Sequence, residues 1–309
     1  MRVLYTLHYF LIVFYYSLSV SALEICGNPR RHIPLSYSLV MSPTLCMQQK
    51  NVIFMGDSTM VHTAQQFSSF FNCSRIMAAT RCDFAAYYNI SASNISHSLP
   101  IPIGVGPLAN GKTNRGCMDC SGCESRSWAC DSTTIEFLGV EFAKDVEYQT
   151  GLYNFTQENV IKGYLAKKAP PFVVIFNTGL HDMGAGSPDK IHLHDTYGDN
   201  LEWLVEMLHE TLSKKGTRLV WLSTSAVRED KQPEGWRNIT NNQKVEHMNA
   251  EASRIMQKWN IAEVDQYAVT RLPYFQAMNV DGVHYGAEFY KSTALELLKL
   301  VCKSSLFMD

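Results

Sequence analysis

The chain has 309 residues, of which 46% are hydrophobic, and its 27 basic and 29 acidic side chains give a formal net charge of −2. This length and composition can supply one sizeable hydrophobic core, so we expect one large domain rather than two small ones. The balanced charge argues against nucleic acid or a membrane surface as a partner, because both select a basic protein face.

The N-terminus has the pattern of a secretory signal. Arg2 precedes an apolar stretch over residues 3–20, and the small residues Ser21 and Ala22 follow. A basic start, an apolar stretch and a small-residue end predict a signal peptide over residues 1–22 that is cleaved after Ala22. The alternative is an uncleaved anchor, since the stretch is long enough to span a bilayer.

Glycosylation sequons and cysteines also indicate the secretory pathway. Five Asn-x-Ser/Thr sequons predict N-glycosylation. They begin at Asn72, Asn89, Asn94, Asn154 and Asn238. Nine cysteines suit an oxidising compartment, and their odd number leaves at least one without a partner in the chain. We therefore expect a secreted protein or a luminal one of the endoplasmic reticulum or Golgi.

Strand-like and helix-like segments alternate along the chain. Short apolar runs predict strands over residues 52–55, 135–140, 172–176, 218–222 and 261–264. Apolar residues spaced three and four apart predict helices over residues 59–71, 156–168, 201–212, 241–259 and 287–301. This alternation predicts an α/β fold with a parallel sheet covered on both faces, with the functional site beyond the carboxyl ends of the strands.

Residues 96–131 depart from this alternation. They are rich in Gly, Pro and Cys and show little periodicity. We interpret them as an inserted Cys-rich loop region, pinned by covalent links, within a single domain over residues 23–309.

Ser58 is the candidate nucleophile. It follows the apolar strand 52–55 and Gly56-Asp57, and it precedes a predicted helix. Backbone N–H groups at a helix N-terminus can hold an oxyanion that forms beside the serine. The alternative is that Ser58 only caps the helix. Asp57 receives no catalytic role, because capping or bracing the turn accounts for it.

The candidate base and its partner lie near the C-terminus. Asp281 and His284 are three residues apart in Asp281-Gly282-Val283-His284, before a predicted helix. This spacing allows Asp281 to accept a bond from one imidazole nitrogen while the other nitrogen faces Ser58. An isolated pair of this kind is more often structural, and it is the upstream serine motif that favours catalysis.

Donors for an oxyanion are less well marked. Asn177 follows the strand 172–176, where its side-chain amide either donates to a tetrahedral intermediate or satisfies loop backbone. Gly104 and Gly106 are further candidates through their backbone N–H groups, and turn formation is the alternative for both.

Metal binding is the competing interpretation of the cysteines and histidines. Cys117, Cys120, Cys123 and Cys130 have a spacing compatible with zinc, although in a secreted chain disulfides are the expected state. His192 and His194, with His181 nearby, form a second metal candidate, with surface loop histidines as the alternative.

A disulfide can also tie the two ends of the domain together. Either Cys26 or Cys46 can join Cys302, and the sequence leaves the connectivity open.

Gly56-Asp57-Ser58 together with Asp281-x-x-His284 resembles the SGNH (GDSL-type) hydrolase superfamily. The strings Phe176-Asn177-Thr178-Gly179 and Asp281-Gly282-Val283-His284, and the final helix ending in Cys302, resemble its PC-esterase branch. That branch includes polysaccharide and sialic acid O-acetyltransferases and the neurexophilin-and-PC-esterase-domain proteins. The resemblance covers residues 50 to 302.

The resemblance implies a flavodoxin-like three-layer α/β/α sandwich with a parallel sheet. It implies Ser58 as nucleophile, His284 as base, Asp281 as its orienting partner, and no metal or organic cofactor. Two positions depart from the family. His181 stands where many members have an oxyanion-donating asparagine, and Val61 stands where many PC-esterase relatives have arginine. Asn177 or His181 must then serve as donor, or the oxyanion hole is weakened.

These observations predict a serine esterase or O-acyltransferase that acts on acyl, foremost acetyl, esters of carbohydrate through an acyl-enzyme. One intermediate serves both reactions, so the sequence leaves open whether water or a sugar hydroxyl accepts the acyl group. Two alternatives remain at this stage. One is an inert glycan- or protein-binding domain on the same scaffold, and the other is a small zinc-binding secreted domain.

Overall fold

The computed structural model describes residues 43–71, 73–80, 124–130, 133–140, 143–144, 159–184 and 195–303. The signal-like segment, Gly104, Gly106, Cys117, Cys120, Cys123, His192, His194 and four of the five sequons lie outside the described residues.

Seven strands in the described part of the chain form one sheet. They are β1 (Asn51–Gly56), β2 (Ser74–Thr80), β3 (Glu124–Cys130), β4 (Thr133–Gly139), β5 (Val173–Phe176), β6 (Arg218–Leu222) and β7 (Ala262–Val264). Their order is β2-β3-β4-β1-β5-β6-β7. Strands β4, β1, β5, β6 and β7 are parallel, and β2 and β3 extend the sheet in antiparallel pairing.

The parallel strands follow the flavodoxin-like order. Numbered among themselves along the chain, they are arranged 2-1-3-4-5. In such sheets the connections reverse direction beside the first strand, and ligands bind in the crevice outside the carboxyl ends at that point. The predicted fold class is confirmed, and by this rule the crevice is expected at the end of β1, immediately before Ser58.

Eight α-helices lie in the described residues. They are α1 (Pro43–Cys46), α2 (Ser58–Ser68), α3 (Tyr197–Thr211), α4 (Glu234–Arg237), α5 (Asn242–Lys258), α6 (Gln266–Thr270), α7 (Pro273–Ala277) and α8 (Ala287–Lys303). Short 3₁₀ turns occupy Ser69–Phe71, Leu165–Lys167, Ser213–Lys215 and Glu229–Lys231.

The side-chain alternation of β1 divides the core into two layers. Val52 and Phe54 point to one face of the sheet, which α2 and α8 cover. Ile53 and Met55 point to the other face, which α3 and α5 cover. All four side chains are at most 1% exposed, as a central parallel strand covered on both faces requires. The result is the three-layer α/β/α arrangement.

Two parts of the sheet were not predicted. Strand β3 occupies the end of the segment interpreted as an inserted loop region, and β2 precedes that segment. The first sequence, Ser-Arg-Ile-Met-Ala-Ala-Thr, has a short apolar stretch that its two alanines make a weak strand signal, and the second, Glu-Ser-Arg-Ser-Trp-Ala-Cys, is mostly polar. Their strand state comes from antiparallel pairing with each other and with β4, which local sequence does not encode.

The helix predicted over residues 156–168 is the other difference. A π-helical turn at Asn159–Tyr164 leads directly into the 3₁₀ turn Leu165–Lys167. Gly163 lies within the π-helical turn, and glycine weakens a regular α-helix by about 1 kcal/mol relative to alanine.

Two disulfides join distant parts of the domain. Cys46–Cys302 links α1 to α8, so of the two pairings considered for Cys302 the structure forms the one with Cys46. Cys73–Cys130 links the segment before β2 to the end of β3, which places Cys130 in a disulfide and not at a zinc ion. Among the described residues, no helix combines the length and apolarity needed to cross a bilayer.

Candidate active site

Ser58 is the first residue of α2, directly after β1. Asp57 caps this helix, since its Oδ1 accepts hydrogen bonds from Thr59 N at 2.8 Å and Thr59 Oγ1 at 2.6 Å. The Asp57 carbonyl accepts from the amides of Met60 and Val61. Asp57 thus has the capping role that we expected, and the cap fixes Ser58 at the positive end of the helix dipole.

The turn between β1 and α2 requires a glycine. A Cβ atom on Gly56 would lie 2.8 Å from Met60 Cβ and 3.2 Å from the Asn177 carbonyl oxygen. Real Cβ atoms essentially never show the 2.8 Å contact, and the 3.2 Å contact is tighter than most, so glycine lets the helix begin this close to the end of β5. This approach positions Ser58 beside the crevice.

The structure brings Ser58, His284 and Asp281 together in one chain of hydrogen bonds. Ser58 Oγ lies 2.7 Å from His284 Nε2, although 226 positions separate the two residues. His284 Nδ1 lies 2.7 Å from Asp281 Oδ2. The arrangement suits a serine hydroxyl that donates to Nε2 while Nδ1–H donates to the carboxylate.

Asp281 holds His284 by its backbone as well as by its ring. Asp281 Oδ1 accepts from His284 N at 2.8 Å and from Val283 N at 3.0 Å. Burial raises the pKa of Asp281, but the hydrogen bonds from His284 and Val283 outweigh burial and keep that pKa below its ordinary value. Asp281 is therefore ionised at neutral pH, as a partner for an imidazolium must be.

The turn that carries Asp281 and His284 is held in place by contacts with the segment after β6. Gly282 adopts φ +105°, its N–H donates to Asn279 Oδ1 at 2.7 Å, and its carbonyl accepts from Arg228 N at 2.8 Å. Gln232 packs against it so closely that a Cβ on Gly282 would lie 2.5 Å from Gln232 Cγ. The segment after β6 thereby sets the position of His284.

The predicted oxyanion donors have different surroundings. Asn177 is buried, and its Nδ2 donates to the Leu222 carbonyl at 2.7 Å, which joins the ends of β5 and β6. This contact is the backbone-satisfying role considered for Asn177. His181 lies half-buried in the turn after Gly179, where its carbonyl accepts from Gly184 N.

Asp182, one residue further along, is a buried carboxylic acid that the sequence analysis gave no role. Both of its oxygens lie within 3.2 Å of Ala143 N. Burial raises the pKa of Asp182 to about 7, although hydrogen bonds from the backbone N–H groups of Ala143, Gly179 and Asp182 itself lower it. Asp182 ties the segment after β4 to the turn after β5, behind the site.

His62, an aromatic neighbour of His284, was also missed, together with Tyr290, which contacts His62. The His62 ring lies 5.8 Å from the His284 ring and 5.1 Å from the Tyr290 ring. The spacing from Ser58 to His62 is one helical turn, which places both on one face of α2. That spacing was a signal in the sequence, but the contact also depends on how α8 packs on α2.

Two further predictions concern glycosylation and metal binding. Asn238, the one described sequon, is exposed at the end of α4. Within the part of the chain that the structure describes, no three His, Cys, Asp or Glu side chains are arranged to hold a metal ion.

Comparisons with known proteins give remote structural likenesses. No protein-family model and no curated protein matches the chain. A lipase/acylhydrolase from Enterococcus faecalis is similar at 15% identity and a TM-score of 0.46, over 82% of this chain and 96% of that one. An aryl esterase from M. smegmatis is similar at 14% identity and a TM-score of 0.47, over 82% of this chain and 99% of that one.

A third similar structure is an acetylxylan esterase from Geobacillus stearothermophilus. It has 12% identity and a TM-score of 0.42, over 82% of this chain and 94% of that one. With TM-scores below 0.5, these likenesses carry no inference about what this chain does, and its fold and site rest on its own strand order and hydrogen bonds.

Proposed function

We propose that the chain is a serine esterase or O-acyltransferase of the secretory pathway that acts on acyl, foremost acetyl, esters of carbohydrate. The observation that carries this proposal is the hydrogen-bonded chain Ser58–His284–Asp281, with both links at 2.7 Å. This arrangement activates a hydroxyl for attack on a carbonyl carbon.

In the first half of the reaction, Ser58 Oγ attacks the ester carbonyl carbon and gives its proton to His284 Nε2. Asp281 stabilises the resulting imidazolium and stays ionised. The negative charge on the tetrahedral intermediate lies near the N-terminus of α2. The Ser58 backbone N–H at this N-terminus is the donor that we propose for this charge, while Asp57 engages the amides of Thr59, Met60 and Val61. His284 then gives the proton to the departing alcohol oxygen, which leaves an acyl-Ser58.

In the second half, the acceptor hydroxyl loses its proton to His284 and attacks the acyl carbon. The proton returns to Ser58 as the bond to its oxygen breaks. With water as acceptor the product is a carboxylic acid, and with a sugar hydroxyl it is a new ester. Exclusion of water from the site would favour transfer.

The substrate and the compartment rest on different observations. Carbohydrate and acetyl follow from the resemblance to the PC-esterase branch. The secretory route rests on the signal-like N-terminus, the five sequons and the two disulfides.

The alternative is an inert binding domain on the same scaffold. It is favoured by His181 in place of the family's asparagine and by the engagement of Asn177 Nδ2 with Leu222. The bond to Leu222 uses one of the two Nδ2 hydrogens of Asn177, so this side chain has less capacity to hold the oxyanion, which then depends more on α2.

The test compares wild type with Ser58→Ala on p-nitrophenyl acetate and on acetylated glycans, with and without a sugar acceptor. We expect Ser58→Ala to lower kcat by at least about 10³-fold, because it removes the nucleophile. The matched control is Ser68→Ala. Ser68 lies on the same helix and is likewise 5% exposed, but its hydroxyl donates to the Gln65 carbonyl. Its turnover should stay within about twofold of wild type.

Equal turnover by wild type and Ser58→Ala would remove Ser58 from the mechanism. Folded wild-type protein that turns over no ester, yet binds an acetylated glycan, would establish the inert alternative.

A further inference from the structure

His62 contacts the candidate base but takes no part in the proton path described above. It lies one turn after Ser58 on α2, and its ring meets that of His284 at 83°, with the ring centroids 5.8 Å apart. This edge-to-face arrangement is one of the favourable geometries for neighbouring rings. The His62 side chain is exposed, so it contributes little to the hydrophobic core.

Tyr290 gives His62 a fixed surface to rest on. The two rings are tilted by 31°, with their centroids 5.1 Å apart. Tyr290 is only 3% exposed, packs against Phe289, and accepts a hydrogen bond from Tyr285 N through its hydroxyl. Burial raises the pKa of Tyr290, which keeps that hydroxyl protonated. The position of His62 is thus set from the core of the molecule.

Rotation about the Cβ–Cγ bond of His284 would swing Nδ1 and Nε2 out of line with their partners, and the two hydrogen bonds oppose this rotation only within their angular tolerance. The His62 ring stands at 83° beside the imidazole and limits the same rotation. The His284 side chain is 27% exposed, so it lacks the full enclosure that would otherwise prevent the motion.

We infer that His62 is a positioning residue for His284. It keeps the imidazole plane aligned so that Nε2 faces the Ser58 hydroxyl while Nδ1 faces Asp281. The effect of His62 on catalysis rests on the proposed function. The effect of His62 on the orientation of the His284 ring does not depend on that function. It assigns a role to the ring of His62 and not to its nitrogen atoms.

The kinetic test uses His62→Ala, which removes the ring, and His62→Phe, which keeps one. For p-nitrophenyl acetate, His62→Ala should lower kcat about tenfold while KM changes less than about twofold, because alignment of the base affects the chemical step. His62→Phe should restore kcat to within about threefold of wild type. The matched control is Gln65→Ala, which removes another exposed side chain of α2 and should change neither constant.

Three kinetic results would count against this inference. Wild-type kcat in His62→Ala would overturn the inference. Equal impairment of His62→Ala and His62→Phe would also overturn it, because the imidazole nitrogens and not the ring packing would then be required. A rise in KM with unchanged kcat would indicate contact with substrate in place of positioning.

A spectroscopic test needs no turnover and separates this inference from the proposed function. The proton on His284 Nδ1 is engaged with Asp281, so wild type should give a slowly exchanging imidazole NMR signal that Asp281→Asn removes. We expect faster exchange of that proton with water in His62→Ala and near-wild-type exchange in His62→Phe. Identical exchange in all three proteins would overturn the inference. Inactivity of every ester substrate, combined with the expected exchange pattern, would reject the proposed function alone.

Discussion

At the scale of single residues, two carboxylic acids near the candidate site have pKa values that are shifted in opposite directions. The Asp281 side chain is 51% exposed, and its hydrogen bonds lower its pKa. Asp182 is 1% exposed, and burial raises its pKa to about 7. Asp281 is therefore a charged partner for His284 over the neutral range, whereas Asp182 changes its charge within that range. The first suits a proton-transfer chain, and the second links stability to pH.

The raised pKa of Asp182 predicts a loss of stability as pH rises from about 4 to about 7. Below pH 4 the acid is protonated in both the folded and the unfolded state. Between pH 4 and pH 7, Asp182 ionises only in the unfolded state, so the free energy of unfolding falls by up to about 4 kcal/mol. Above pH 7 Asp182 is ionised in both states, and the loss of unfolding free energy stays constant. Asp182→Asn should remove this component, which denaturant titrations from pH 4.5 to 8 will measure.

The control for this experiment is Glu206→Gln in the middle of α3, which replaces an exposed carboxylate away from the helix ends and should leave the pH dependence of wild type unchanged. If Asp182→Asn and wild type lose the same free energy of unfolding over this range, the interpretation of Asp182 as a buried acid is wrong.

At the scale of elements, the decisive unit is the turn from Asn279 to His284. Three hydrogen bonds hold it. Val280 N donates to the His284 carbonyl within the turn, Arg228 N bonds to Gly282 from the segment after β6, and Tyr285 donates from its hydroxyl to the Ala226 carbonyl. The imidazole is thus placed by a braced turn and not by a free loop.

This bracing predicts that Gly282→Ala lowers both stability and activity. Alanine at φ +105° is strained, and its Cβ would also meet Gln232. Gly216→Ala is the matched control, since Gly216 has φ +94° but nothing within 4 Å of an added Cβ. Both variants should lose about 1 kcal/mol of unfolding free energy from the backbone strain. Only Gly282→Ala should lose more than that, together with most of its ester hydrolysis.

Equal losses in the two variants, with activity retained in both, would show that the segment after β6 does not position His284. Thermal or denaturant unfolding and p-nitrophenyl acetate hydrolysis provide the two measurements.

An element could be predicted from the sequence where neighbouring residues determine it, and was missed where contacts with distant residues determine it. Strand β6 has the bounds predicted for it, because Arg218–Leu222 is an apolar run set off by turns. The start of α2 at Ser58 was encoded by Gly56 and by the Asp57 cap. Strands β2 and β3 were missed because their weakly patterned sequences become strands through long-range pairing. His62 was missed for a similar reason, since its role depends on the packing of Tyr290 from another helix.

At the scale of the whole molecule, the packing of α8 on α2 brings together segments that are far apart in the sequence. Both helices cover the same face of the sheet, and the Cys46–Cys302 disulfide fastens the end of α8 to α1, just before β1. The serine begins α2, and the histidine lies three residues before α8. The candidate site therefore depends on the same tertiary contacts that close the domain.

Reaction with a fluorophosphonate serine probe, followed by peptide mapping, tests this meeting of the two segments most directly. We predict that folded wild-type protein is labelled at Ser58, and that His284→Ala, with its fold intact, is labelled at least about 10³-fold more slowly because the hydroxyl loses its base. Folded wild-type protein that remains unlabelled at Ser58, or that reacts no faster than His284→Ala, would contradict the account.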